Sequence, residues 1–331
     1  ALLGGWASSK GILHPERMMA GLAGIRGWGV AGLVVINLVI LLTATGRWWR
    51  ILSAYGHRIA PFRLAAYRVA AGAVSYVTPG TQFGGEPLQA FLLVDREGVP
   101  ADVAAAGVLL ERAMEFALNG LLVAGCLVWW VLAPFSSTPE GPAANLDRRA
   151  GVGAVLVAAG TLAAAAFWIR KTVRRGHTGH VRERRLPGPV RRLGRILRGT
   201  GARIAGLFRE DPAALWAALG LGLISCGFVV GEFHLLYGAV GLWLSAQQLL
   251  LVMAAARIGL WVPVPGGMGA LEAGQLAAAQ LLGIPGEAAM AVCLLIRVRD
   301  FLVCTAGLYL TGRYLSQSIK GNLHASMGKQ P

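Results

Sequence analysis

Charged residues are scarce in this chain. They make up 14% of 331 residues, against 55% hydrophobic, and the mean hydropathy is +0.58. A water-soluble chain of this size needs a far larger charged surface, so composition overrides the two soluble domains that length alone would suggest. The expectation is one membrane domain over 1–331, with its apolar surface turned to lipid. Cysteine is also sparse. Cys126, Cys226, Cys293 and Cys304 all sit in apolar stretches with no metal-like spacing and read as small buried hydrophobes. No Ser-His-Asp set, metal cluster or nucleotide loop is present, and the carboxylates in the apolar stretches lack a plausible partner for activating water. The reading is therefore not an enzyme, with no cofactor and no metal. His177 and His180 do not change it, because two histidines in a basic loop do not make a metal site.

Acidic residues are the scarcer sign, 16 against 31 Lys and Arg, for a formal charge of +15. That charge is concentrated. Between Arg170 and Arg203 there are twelve Lys or Arg and one acid, Glu183. A patch for nucleic acid or another anionic partner is one reading. A cytoplasmic loop over 170–212 obeying the positive-inside rule is the favoured one, and no nucleic acid is expected as a partner.

A membrane span needs about twenty mostly apolar residues. Gly27–Gly46, Ala101–Leu132, Gly151–Ile169, Ala213–Tyr237 and Glu287–Thr311 qualify. Two further apolar stretches are broken in the middle: Phe62–Val94 around Thr78-Pro79-Gly80, and Ser245–Gly283 around Val262-Pro263-Val264-Pro265-Gly266-Gly267. If the basic loop is cytoplasmic, Gly151–Ile169 runs inward and Ala101–Leu132 runs outward. Gly27–Gly46 then delivers Arg47, Arg50, Arg58 and Arg63 to the cytoplasm. Both broken segments must start and finish on one side, so each is expected to be a re-entrant hairpin, 62–94 and 245–283. Backbone broken at membrane depth is tolerated only where protein or water covers it. The expected fold is all-α and integral to the membrane. Repeats 27–132 and 213–311, each helix, hairpin, helix, are inverted by the lone connecting span 151–169. No cleavable signal peptide is visible, and the opening ALLGGWASSKG reads as the tail of a truncated first helix.

The repeat is visible in the residues. Pro79-Gly80 precedes Glu86 and Gln89 as Pro265-Gly266 precedes Glu272 and Gln275, with seven residues from proline to glutamate and three from glutamate to glutamine in both. Leu109-Leu110-Glu111-Arg112-Ala113-Met114-Glu115-Phe116 then parallels Leu294-Leu295-Ile296-Arg297-Val298-Arg299-Asp300-Phe301. Glu86 to Arg112 spans 26 residues and Glu272 to Arg297 spans 25. An ordered set repeated once indicates duplication, and inverted duplication is a transporter architecture. Proline removes a backbone donor and glycine accepts unusual dihedrals, so each Pro-Gly breaks a helix. New half-helices starting at Gly84-Gly85-Glu86 and Gly269-Ala270-Leu271-Glu272 would aim positive dipole ends at an anionic group. Glu115 and Asp300 lie three residues beyond their arginines, on the same helical face. Two compatible readings stand. In one, Glu86–Arg112 and Glu272–Arg297 are ion pairs locking each hairpin to its neighbour; in the other, one or both arginines bind a phosphate or carboxylate with the acids as counter-charges or proton carriers.

Other polar positions carry less. Asn37, Asn119 and His234 with Glu232 read as interhelical contacts. Trp48, Trp49, Trp129 and Trp130 fit interfacial belts. In Val190–Phe208, Leu193, Ile196, Leu197, Ile204, Leu207 and Phe208 alternate with arginines, as in an amphipathic helix lying on an anionic leaflet.

At these motifs the sequence resembles the flippase-like membrane domain of the lysylphosphatidylglycerol synthase transmembrane family. The resemblance rests on Arg47-Trp48, Ser75-Tyr76-Val77-Thr78-Pro79-Gly80 with Gly84-Gly85-Glu86, Leu110-Glu111-Arg112, Pro265-Gly266-Gly267-Met268-Gly269 with Glu272, and Leu295-Ile296-Arg297, over roughly residues 25–313. It implies a lipid translocase. In relatives such as the multiple peptide resistance factors, the domain precedes a soluble aminoacyl-transferring domain. Here the chain stops at Pro331, so a separate lipid-modifying enzyme is an expected partner if the lipid is aminoacylated. The expected ligand is an anionic or aminoacylated phospholipid, taken into a midplane polar cavity in a bacterial or archaeal cell membrane. An oligomer is compatible with this. Alternatives on the same scaffold are a small-solute or ion transporter and a non-transporting membrane scaffold.

Overall fold

The computed structural model describes residues 27–78, 84–132, 188–262 and 264–327. The expected span 151–169, the basic run 170–187, Pro79, Gly80 and Pro263 lie outside the described residues. Among those described, the chain is helical and contains no strand. The helices are α1 (Gly27–Ala54), α2 (Pro61–Val77), α3 (Glu86–Glu97), α4 (Ala101–Leu132), α5 (Gly188–Glu210), α6 (Pro212–Ala239), α7 (Ala246–Leu260), α8 (Ala270–Leu282) and α9 (Gly286–Met327). A short 3-10 turn, Pro265–Gly267, separates α7 from α8.

Local chemistry explains the boundaries. α2 opens with Pro61, whose missing N–H costs nothing at a helix start. α3 ends at Gly98 and α8 at Gly283, both with left-handed backbone (φ 65° and 64°) that glycine adopts without strain. α7 is capped reciprocally by Ser245 and Gln248.

Both broken segments form antiparallel helix pairs. Gly259 of α7 faces Ala270, where an added Cβ would lie 2.8 Å from a carbonyl oxygen. Gly274 of α8 faces Ala255 in the same way at 2.9 Å. In the first pair, Gly85 abuts the Ala71 carbonyl, while the Tyr67 hydroxyl donates to Glu97 Oε1 at 2.7 Å. Close backbone approach, licensed by absent side chains, lets each pair form within a short stretch of chain.

Among the described residues, three helices are long and apolar enough to cross a bilayer: Gly29–Ala54, Ala101–Trp129 and Pro212–Ala239. The fourth described candidate, Glu287–Thr311, falls within α9, whose Arg297, Arg299 and Asp300 interrupt its apolar run and keep it out of that set. Apolar side chains face outward in number, including Val30, Val34, Val35, Leu38 and Leu42 on α1 and Phe301, Leu302 and Val303 on α9. Water would not tolerate such a surface, and lipid does. This is an all-α membrane protein.

The chain resolves into two compact units. Unit I comprises Ala1–Ala44, Ala113–Trp168 and Leu221–Val298; unit II comprises Thr45–Arg112, Ile169–Gly220 and Arg299–Pro331. Neither is a contiguous half of the sequence. The unit I core gathers Phe233, Tyr237, Val252, Met253, Leu271 and Val292. The unit II core gathers Trp48, Leu52, Leu64, Leu92, Leu93 and Val103. In unit II, α9 approaches α2 so closely that a Cβ on Gly307 would lie 2.4 Å from the Val69 oxygen.

Two expectations are corrected in unit II. Trp48 is fully buried in the core rather than placed in an interfacial belt. The apolar stripe of α5, expected to lie on lipid, is covered by protein at Ile204 and Leu207, while Phe208 remains exposed. Thr200 donates to the Asp102 carbonyl at 3.4 Å and Arg203 Nε to its Oδ2 at 3.1 Å. An amphipathic stripe seeks any apolar surface, and here part of it found α4 and its neighbours.

Candidate functional site

Each helix break carries one glutamate and receives one arginine from a later helix. In unit I the backbone at the break takes positive φ at Gly266 (57°), Gly267 (62°) and Gly269 (84°), conformations closed to most side chains. The turn leaves the Gly266 and Gly267 carbonyls outside any helical ladder, and Arg297 of α9 collects them. Its Nη1 donates to the Gly266 oxygen and its Nη2 to the Gly267 oxygen at 3.0 Å. The same guanidinium grips Glu272 as a fork, Nε to Oε1 at 2.8 Å and Nη2 to Oε2 at 3.0 Å. Glu272 Oε2 also accepts the Gly269 N–H at 2.8 Å. One cation thus neutralises the carboxylate and caps the break, which is the planar, multi-donor task that arginine suits and lysine does not.

Unit II repeats the plan. Glu86 opens α3 and its Oε2 accepts the Gly84 N–H at 2.8 Å. Its Oε1 lies 2.7 Å from Arg112 Nε. Gly84 has φ 139°, and the Gly85 N–H donates to Ser75 Oγ at 2.9 Å. A Cβ at Gly85 would stand 2.0 Å from the Ala71 oxygen, so glycine is obligatory there. Both ion pairs are partly accessible, with side-chain exposures of 15–21%.

The remaining sequence candidates are placed differently. Gln275 is wholly buried; its Nε2 donates to the Val252 carbonyl at 2.6 Å and its Oε1 accepts from the Tyr237 hydroxyl at 2.8 Å. It ties α8 to α7 and α6. Gln89 is buried on α3. Asp300 engages Arg299, at 2.9 Å from Nε and 2.7 Å from Nη2. The Glu115 main-chain carbonyl accepts from Asn119 Nδ2 at 2.9 Å. Asn37 Nδ2 donates to Glu232 Oε1 at 3.0 Å, an interhelical contact in unit I. His234 lies against Trp243 with the rings tilted by 53° and their centroids 5.3 Å apart.

A second charged cluster escaped the sequence reading. Arg47, expected at the cytoplasmic end of the first span, is buried, and its Nη2 donates to Glu111 Oε1 at 2.5 Å. Arg68 Nη1 donates to the same oxygen at 2.7 Å. An arginine at the end of an apolar run looks like a membrane-edge anchor, and partners 64 and 43 residues away leave no local spacing signal. The sequence hints were Arg47-Trp48 and Leu110-Glu111-Arg112, both among the motifs of the resemblance, but nothing in them paired the two.

The fold and these breaks define a polytopic α-helical membrane protein with an ion pair at each of two helix breaks. The family model described as the lysylphosphatidylglycerol synthase TM region matches residues 2–307. The chain belongs to that family, which ties it to a membrane-lipid function. Comparison with curated proteins found no match.

Proposed function

We propose that this protein is a lipid flippase or transporter that moves a phospholipid or lipid-linked headgroup between leaflets. The reading is carried by one observation: a glutamate–arginine pair, partly accessible, stands at each of two glycine-lined helix breaks in a chain of this family. The two breaks are read as the tips of re-entrant hairpins in an inverted repeat, with the basic run 170–203 cytoplasmic in a cell membrane.

The mechanism follows from competition. Arg112 and Arg297 each hold a carboxylate, and a lipid phosphate offers oxygens of the same kind for the same donors. When phosphate takes the arginine, Glu86 or Glu272 is released to balance a cationic headgroup. When the lipid leaves, the pair recloses. In a medium of low dielectric neither charge stays unpartnered, so exchange replaces dissociation. The acyl chains remain in lipid throughout, and no bond is made or broken. An aminoacylated headgroup would come from a separate enzyme.

The test is reconstitution into liposomes holding fluorescent phosphatidylglycerol or lysyl-phosphatidylglycerol in one leaflet, with a membrane-impermeant quencher outside. Wild-type protein should expose label faster than protein-free vesicles, and the double variant R112Q/R297Q should not. Failure of the wild type to move any anionic or aminoacylated lipid above background would sink the reading.

A further inference from the structure

The buried cluster of unit II is not needed to hold a helix break, since Glu86 and Arg112 do that. We propose that Arg47, Arg68 and Glu111 form a phosphate seat, in which the Glu111 carboxylate holds the place that the phosphate of an anionic lipid takes. This rests on the lipid-transport reading and adds a binding site to it.

Three observations converge. Two guanidinium groups from different helices, α1 and α2, meet at the single oxygen Glu111 Oε1, at 2.5 and 2.7 Å. Two arginines aimed at one oxyanion are what a phosphodiester requires, and the three side chains together carry one more positive charge than negative. Access is graded as well. Arg47 and Glu111 are 4% and 3% exposed, whereas Arg68 is 16% exposed, so an arriving anion reaches Arg68 first while Arg47 stays at the back of the seat. The third observation is the link to the break. Arg68 stands one helical turn before Ala71, whose carbonyl abuts Gly85, and Glu111 directly precedes Arg112. An anion that draws Arg68 away from Glu111 therefore pulls on the arm of α2 that packs against the Gly84-Gly85 turn. Occupancy of the seat would loosen the break at which Glu86 holds Arg112, ordering phosphate capture before opening of the pair.

The experiment uses the full chain in detergent. Binding is measured with dihexanoyl phosphatidylglycerol, inorganic phosphate and dihexanoylglycerol, the last lacking phosphate. The variants are R68Q, E111Q and R63Q, the last removing an equal charge at a side chain 55% exposed. Wild type and R63Q should bind the phosphate lipid alike, R68Q should lose at least about tenfold in affinity, and dihexanoylglycerol should bind none of them selectively. E111Q, whose two arginines no longer face the Glu111 carboxylate, should be stabilised by phosphate lipid more than wild type is. Free phosphate reproducing that stabilisation would assign the seat to phosphate itself, and lipid alone doing so would assign it to the headgroup with its chains. Wild-type affinity in R68Q, or an E111Q whose melting temperature ignores both phosphate sources, would overturn the proposal. If R68Q binds normally while R112Q/R297Q abolishes lipid movement, the seat fails and the transport reading stands. If wild type neither binds nor moves lipid, both fail.

Discussion

Glu272 and Arg297 meet fork to fork, with bonds of 2.8 and 3.0 Å, while the same carboxylate accepts the Gly269 N–H and the same guanidinium caps the Gly266 and Gly267 carbonyls. The pair is thus part of the turn and not an addition to it. A carboxylate and two backbone carbonyls of one break depend on a single side chain from another helix.

Arg297→Gln should consequently destabilise more than Glu272→Gln/Arg297→Gln. Breaking a buried pair by removing one partner costs about 3–5 kcal/mol, and partial exposure here brings the expectation to roughly 1–3 kcal/mol. The double variant leaves no orphaned charge and should recover part of the loss. Thermal unfolding in detergent of both singles and the double supplies the cycle, and strictly additive losses would show that the two side chains do not act together.

Gly85→Ala should be far worse than Gly98→Ala. At Gly85 the new methyl would sit 2.0 Å from the Ala71 oxygen, whereas at Gly98 it meets nothing and suffers only from φ 65°. The expectation is a loss of more than about 3 kcal/mol, or no folded protein, against about 1 kcal/mol. Yield of monodisperse protein and melting temperature rank the two.

Gln275→Leu should lower stability by about 1–3 kcal/mol, because the Tyr237 hydroxyl and Val252 carbonyl lose a partner inside a fully buried site. Adding Tyr237→Phe should restore part of it. Equal melting temperatures for wild type and Gln275→Leu would refute the tie between α8, α7 and α6.

Arg47→Gln and Arg203→Gln each remove one guanidinium from an ion pair, yet they should differ several-fold. Arg47 is 4% exposed on Glu111, and Arg203 is 52% exposed on Asp102. The buried loss is expected at about 3 kcal/mol or more and the exposed one below about 1 kcal/mol. Added salt should shrink only the second. Denaturation at low and high ionic strength checks both statements.

Composition alone placed the chain in a membrane, because apolar side chains in such excess have no soluble arrangement. The order Pro-Gly, Glu, Gln, then Arg, repeated once, made the two breaks and their glutamates legible, since helix breaking is local chemistry. The packing of the arginines on Glu86 and Glu272 could be anticipated, but only as one of two readings. Tertiary structure alone decided the rest. It buried Arg47 and Trp48, brought Arg68 and Arg47 to Glu111, enclosed Gln275, and covered Ile204 and Leu207 with protein. The physical reason is the same in each case. Spacing along a chain reports which residues share a helical face, but the partner of a face is chosen by the packing of helices whose contacts lie dozens of residues apart.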